Sequence, residues 1–240
     1  MNAIDHLPPA TPFHAALTRR RLLMAAGALG MGGCASDSLS LLGASLPKFG
    51  ASARGNGYPL SDAQIKSIPY ASMGVRIGGS SAVVTILASV DGPRLHWASA
   101  DRVVLITERG RLVKTIGLPR DLLTTRFTDF DPLAQIARGE PAIDVGVSRI
   151  VDLRPKDDFG VPVQSQCTVQ QEETLTLLGQ PRTLLRVRER VVVRKWRWST
   201  DNLFWLDPAS GQIWKSRQQY CPDVPAITME MLRPPALTST

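Results

Sequence analysis

The sequence predicts a mainly β protein, a single domain built on a large curved or partly closed antiparallel sheet with a few short helices. Three observations predict it. From Tyr70 onward, short β-branched or apolar runs alternate with turns rich in Gly, Pro and Asp. Two such runs, at 203–206 and 212–217, flank Asp207-Pro208-Ala209-Ser210-Gly211, a hairpin loop with Gly at its end. Helical periodicity is confined to a few brief stretches, and many strands without long crossover helices must curl or close.

Taken in order, residues 35–57 are rich in Ser, Ala and Gly and read as a tether. Ser61-Asp62-Ala63-Gln64-Ile65-Lys66 caps and starts a short helix that Pro69 closes. Strands follow at 72–77 and 82–90, separated by Gly78-Gly79-Ser80-Ser81, and then at 95–98 and 102–107. Glu108-Arg109-Gly110-Arg111 turns the chain into a strand at 112–116, which Leu118-Pro119 ends. Residues 131–139 form a short helix with Pro132 in its first turn and Gly139 past its end. Strands at 149–153, 161–172, 173–177 and 182–198 come next, then the 203–217 hairpin and a last strand at 227–232.

The chain has 240 residues, 43% hydrophobic and 20% charged, which excludes a disordered tail. No apolar run reaches the ~20 residues of a membrane-spanning helix. The first 33 residues have the layout of an export signal. Arg19-Arg20-Arg21 precede a short apolar stretch that ends at Met31-Gly32-Gly33-Cys34, a loose lipobox. Cleavage before Cys34 frees the residue whose thiol takes the lipid, and acyl chains then hold the protein on a membrane without a helix. Thr18-Arg19-Arg20-Arg21-Leu22-Leu23 also resembles a twin-arginine signal, so the export route stays open between that and the general one. Ala35 after the cysteine, where Asp would favour the inner membrane, favours the outer. The signal's three arginines and Asp5 account for +2 of the +7 net charge.

Cysteine use suits export. Besides Cys34 only Cys167 and Cys221 occur, an even pair that an oxidising compartment could join as one disulfide or leave as two buried thiols. His96 is the only histidine after the signal, and there is no Cys/His cluster, so no metal site and no cofactor is expected. Catalytic tools are scarce as well. No serine sits in a Gly-x-Ser-x-Gly elbow, and Asp131 of the Asp129/Asp131 pair is explained by capping the helix that starts at Pro132. The chain is therefore expected not to be an enzyme.

The most informative surface is 182–198. With a period of two, Arg186, Arg188, Arg190 and Arg194 share one strand face that Trp196 and Trp198 continue, while Leu185, Val187, Val191 and Val193 take the other. Guanidinium forks bind carboxylates and indoles pack on sugar rings, so this row suits an acidic glycan. A solvated strand face whose tryptophans reach the core would show the same pattern. Nucleic acid is not expected as a partner for an exported lipoprotein.

Several stretches resemble a known family. They are Ile68-Pro69-Tyr70-Ala71-Ser72-Met73-Gly74-Val75-Arg76, the long run from Asp101-Arg102-Val103 to Gly117-Leu118-Pro119, and Glu172-Glu173-Thr174-Leu175-Thr176-Leu177. Phe204-Trp205-Leu206-Asp207-Pro208, Gly211-Gln212 and Ser216-Arg217-Gln218 complete the set. In order and spacing they resemble the YjbF/GfcB lipoproteins of capsule and exopolysaccharide systems, over roughly 58–235. The resemblance implies a mainly β, periplasm-facing lipoprotein from a polysaccharide-export system, with no catalytic residue or cofactor to carry over. The expected organisation is a signal peptide (1–33), a lipid-anchored tether (34–57) and a β domain (58–240). Its expected role is a non-catalytic outer-membrane accessory of polysaccharide export that binds an acidic glycan or other export proteins. The alternative is a lipid or lipoprotein carrier with an acyl-binding concave sheet.

Overall fold

The computed structural model describes residues 57–141 and 146–236. The export signal, Cys34 and all but the last residue of the tether lie outside them. Among the described residues, twelve strands form one antiparallel sheet curled into a nearly closed barrel. They are β1 (Ser72–Ile77), β2 (Val83–Asp91), β3 (Arg94–Ala98), β4 (Val104–Glu108), β5 (Arg111–Ile116) and β6 (Asp121–Phe127), then β7 (Val147–Arg154), β8 (Asp158–Leu177), β9 (Gln180–Val193), β10 (Trp198–Leu206), β11 (Ile213–Gln218) and β12 (Ile227–Arg233). Two short helices join them, α1 (Asp62–Ser67) and α2 (Pro132–Ala137).

The topology is a meander in which successive strands are neighbours, with one displacement. β1 pairs with β12, through Met73 opposite Met231 and Val75 opposite Met229. The backbone ladder breaks instead between β5 and β6, in the middle of the sequence. Side chains bridge that seam at one end. The Leu122 amide donates to Thr115 Oγ1 (2.9 Å), which in turn donates to Asp121 Oδ1 (2.9 Å), and Asp121 also accepts the Gly117 and Leu118 amides.

Alternation fills the barrel with one apolar cluster drawn from nearly every strand, including Met73, Trp97, Leu105, Leu122, Val151, Val163, Val191, Ile227 and Met229. Bulges in several strand pairs supply the bending that closure needs. α1 starts at a reciprocal cap between Ser61 and Gln64, and seats Ile65 on the outer face against Tyr58, Ala82 and Val84. α2 is capped by Asp131, whose Oδ1 accepts the Leu133 amide (2.9 Å), and it places Leu133 and Ile136 against Val187, Phe204 and Leu206. The β10–β11 loop closes tightly on this helix. A side-chain carbon at Gly211 would lie 1.9 Å from the carbonyl oxygen of Ala137, and the residue has φ +69°.

The opposite end is sealed by charge. Arg120, in the β5–β6 turn, pairs with Asp158 and Asp223, and stacks over Trp196 at 5.7 Å. Lys156 reaches Asp223 (2.9 Å), and Lys195 reaches Asp158 (2.7 Å).

Several expected boundaries shift. β6 is absent from the sequence reading because Leu122-Leu123-Thr124-Thr125 doubles rather than alternates, and the structure puts a bulge between Leu122 and Thr124. The runs at 161–172 and 173–177 are one strand, β8, bulged between Val169 and Glu172. The run at 182–198 is two strands. β9 stops at Val193, a 3-10 turn covers Arg194–Trp196, and Arg197 at φ +49° reverses the chain into β10.

Of the two readings open for the cysteines, the structure has the buried thiols. Cys167 and Cys221 are both buried and free, because Cys167 on β8 belongs to the cluster under α2 while Cys221 lies in the β11–β12 connection, in the main barrel cluster. Burial pushes the Cys167 thiol up to about 12. Two predictions follow from this packing. Denatured, unreduced protein should alkylate at both Cys167 and Cys221, read by mass spectrometry. Gly211→Ala should lower Tm by about 4–8 °C, as a loss of about 2 kcal/mol does in a domain this size. Gly79→Ala, with no atom within 4 Å of the added carbon, should leave Tm unchanged.

Candidate functional site

β9 separates the two faces of the barrel. Val187, Glu189, Val191 and Val193 point inward and are buried, while Arg188 and Arg190 are exposed outside with Arg186 half-buried between them and Leu184. Three of the four expected arginines therefore do share a face. Arg194 does not, because the strand has already ended. Trp196 and Trp198 leave the row as well. They pack edge to face (6.4 Å between centroids) against the barrel's apolar cluster, at the end that Arg120 seals.

The outer face extends sideways instead. Arg188 is in register with Leu203, Leu203 with Arg217, and Arg217 with Thr228, so Arg217 of β11 stands two strands from Arg188, about 10 Å away. Arg190 is held by Asp201 (3.3 Å) and Ser199 (2.9 Å), and Arg186 approaches Glu173 (3.8 Å). Arg188 and Arg217 form no ion pair with any described residue and are both exposed. The tryptophan that accompanies this face is Trp205, flanked in register by Arg186 and Lys215, whose cationic groups lie 5.9 and 5.8 Å from its ring.

Inside, the same strand supports a buried ion network. Glu189 is 0% exposed, and both its oxygens accept from Arg111 Nη1 (2.9 Å each). Arg149 Nη1 donates to one of them (2.6 Å), and Asn202 Nδ2 to the other (2.9 Å). Arg111, 2% exposed, forks onto Asp131 through Nε (2.7 Å) and Nη2 (2.8 Å), between the rings of Phe127 and Phe204. Of the Asp129/Asp131 pair, Asp131 is thus fully engaged by a cation and a helix N-terminus, while Asp129 is exposed. No group of His, Cys, Asp and Glu suited to a metal ion occurs among the described residues.

A third feature is a cavity of about 370 Å³ at the barrel mouth beside α2, walled by Met73, Leu95, Ile213, Met229 and Met231, with Arg109 on its rim. Arg109 occupies the first position of the β4–β5 hairpin at φ +48°, a left-handed conformation that costs a non-glycine residue about 1–2 kcal/mol.

The sequence pattern of the family described as "Group 4 capsule polysaccharide lipoprotein gfcB, YjbF" matches residues 45–232. The chain belongs to the YjbF family. Two Escherichia coli K12 relatives agree. It is 28% identical over 219 residues to the lipoprotein GfcB, covering 90% of this chain and 99% of that one. It is 29% identical over 168 residues to the lipoprotein YjbF, covering 68% and 74% respectively. The crystal structure of the hypothetical lipoprotein YmcC from the same organism superposes with a TM-score of 0.66 at 27% identity, over 74% of this chain and 91% of that chain. The family match begins at residue 45, inside the stretch read as tether.

In this YjbF-family barrel the outward arginines can hold anionic groups, whereas the inward ones hold the barrel. Burial alone would raise the Glu189 carboxyl, but Arg111 and Arg149 beside it, with Asn202, hold it well below the usual carboxylate range. The Arg111 guanidinium is held well above its ordinary value by Asp131 and Glu189, against the opposing effect of burial. The sequence carried one sign of this network, a glutamate at an inward position of an otherwise apolar β9 face. Its partners, on β5, β7 and β10, are set by register that sequence alone does not give.

Glu189→Gln should cost about 3–5 kcal/mol, because two buried guanidiniums lose their shared charge. Since the folded carboxyl titrates below its unfolded value of about 4.3, its stabilisation is complete above that value and disappears as pH falls through the folded one. Denaturant melts should therefore show a constant gap between wild type and Glu189→Gln from pH 8 to about 5, narrowing only in strong acid.

Proposed function

We propose that this protein is a non-catalytic lipoprotein of the outer membrane, facing the periplasm, that serves capsule or exopolysaccharide export by binding an acidic glycan or the proteins that export it. The family match over 45–232 carries this reading, since the family is described by capsule polysaccharide. The geometry adds a surface suited to the task. Arg188 and Arg217, without an ion pair among the described residues, present guanidiniums two strands apart, a spacing at which successive carboxylates of an extended polymer can be met. Arg186 and Arg190 extend the positive face along β9. Lipid at Cys34 would keep this face at the membrane without a spanning helix, and no described helix is long and apolar enough to cross one.

Most of the concave face that a lipid carrier needs is filled here by the barrel's own side chains, and an apolar recess remains at the mouth beside α2. The glycan reading uses the outer face and requires no space inside.

The test is retention of the organism's own secreted acidic polysaccharide. Replacing Arg188 and Arg217 with Ser should weaken binding tenfold or more and lessen its dependence on salt, with Tm unchanged because neither side chain is buried. Unchanged retention would remove this face from the proposal and leave protein partners as the target.

A further inference from the structure

We propose that the mouth cavity beside α2 binds a single-chain anionic amphiphile, its acyl chain among the methionines and its anionic head on Arg109. The cavity's volume of about 370 Å³ lies within the range of small-ligand sites. Its walls are mostly apolar, and three of them are Met73, Met229 and Met231, unbranched side chains that adapt to a flexible chain.

Several polar side chains in the lining already have partners, although the buried Trp214 indole N–H has none among the described residues. Thr107 Oγ1 accepts from Trp97 Nε1 (2.9 Å), Ser216 Oγ accepts from Gln218 Nε2 (2.9 Å), and Gln212 Nε2 donates to the Ile213 carbonyl (2.7 Å). The one large aromatic face at the rim, Trp214, is covered by Arg182 at 3.6 Å. With Trp214 covered, a sugar would find no open stacking platform here, whereas an alkyl chain needs none.

Charge selects the head group. Of the cations that border the cavity, Arg138 is held by Glu140 (2.6 Å) and Lys215 approaches Glu230 (3.7 Å). Arg109 forms no ion pair with any described residue and is exposed. The adjoining cavity of about 350 Å³ that it also borders carries the carboxylates of Glu108, Asp129 and Asp131, so an anionic head group is kept at Arg109 itself rather than passing further in. The left-handed backbone at Arg109 is where glycine or asparagine would be expected, so a long cation is kept there against local preference. The site shares Lys215 with the outer arginine face but none of that face's arginines.

The test uses the full chain carrying Cys34→Ser, which cannot be acylated, in detergent-free buffer. The probes are hexadecanoate, a single-chain lysophosphatidylglycerol and uncharged hexadecan-1-ol. Native mass spectrometry should show one bound equivalent of an anionic probe, with a change in tryptophan emission that Trp214→Phe removes. Arg109→Gly, which suits the local backbone, should weaken the anionic probes tenfold or more and leave hexadecan-1-ol unaffected. Preference for hexadecanoate would assign a carboxylate head, and preference for the lysophospholipid a phosphate head. Absence of binding by both anionic probes would overturn the proposal, as would anionic binding that Arg109→Gly leaves intact.

Discussion

The structure depends on one buried carboxylate. Glu189, itself paired in the ladder with Cys167 and Asn202, accepts from two guanidiniums and an amide inside the barrel. Arg111 comes from β5 and Arg149 from β7, the strands on either side of β6, whose edge toward β5 is unpaired, and Arg111 also clamps the cap of α2 through Asp131. The network therefore spans from inside a seam that main-chain hydrogen bonds leave open. An ion pair so deeply buried is weak as a source of net stability compared with apolar packing, but it is strict about geometry, since each partner left alone is a buried charge. Here that strictness fixes the relation of β5, β7, β9, β10 and α2 to one another.

With the interior committed in this way, interaction with other molecules falls to the outer face and the mouth. Charged side chains divide accordingly. Those on inward positions are matched within hydrogen-bonding distance, as Arg111, Arg149 and Glu189 are, whereas Arg188, Arg217 and Arg109 are exposed and unmatched among the described residues. A glycan partner, as proposed, would meet the outer arginines, and the same barrel offers a second, apolar recess of different chemistry.

Much of the fold was legible in the sequence because period-two alternation and turn residues are local signals. β1 spans the expected residues, and both helices start at the caps that Ser61 and Asp131 announce. Local signals fail where a bulge breaks the alternation, which hid β6 and divided β8 in two, and where a 3-10 turn carries strand-like residues, as at Arg194–Trp196. The site was legible only along one strand. Arg186, Arg188 and Arg190 could be read from β9 itself, but Arg217 joins them through register across three strands, and Trp205 rather than Trp196 or Trp198 is their aromatic neighbour for the same reason. Cross-strand distance is not written in sequence separation.

The pairing of β1 with β12 has a consequence for how the chain reaches this state. Ser72 meets Arg233 across more than half of the sequence, whereas β1–β5 and β6–β12 are each runs of neighbouring hairpins. The two runs can assemble from local contacts, but the cylinder cannot shut until the last strand is available to the first. Loop-closure entropy makes such a distant pairing slow relative to hairpin formation. Until residue 233 is available, the chain can form only two open, curved ribbons with the hydrophobic lining exposed. Truncation within β12 would trap it there, which makes the C-terminal strand the latch of the barrel.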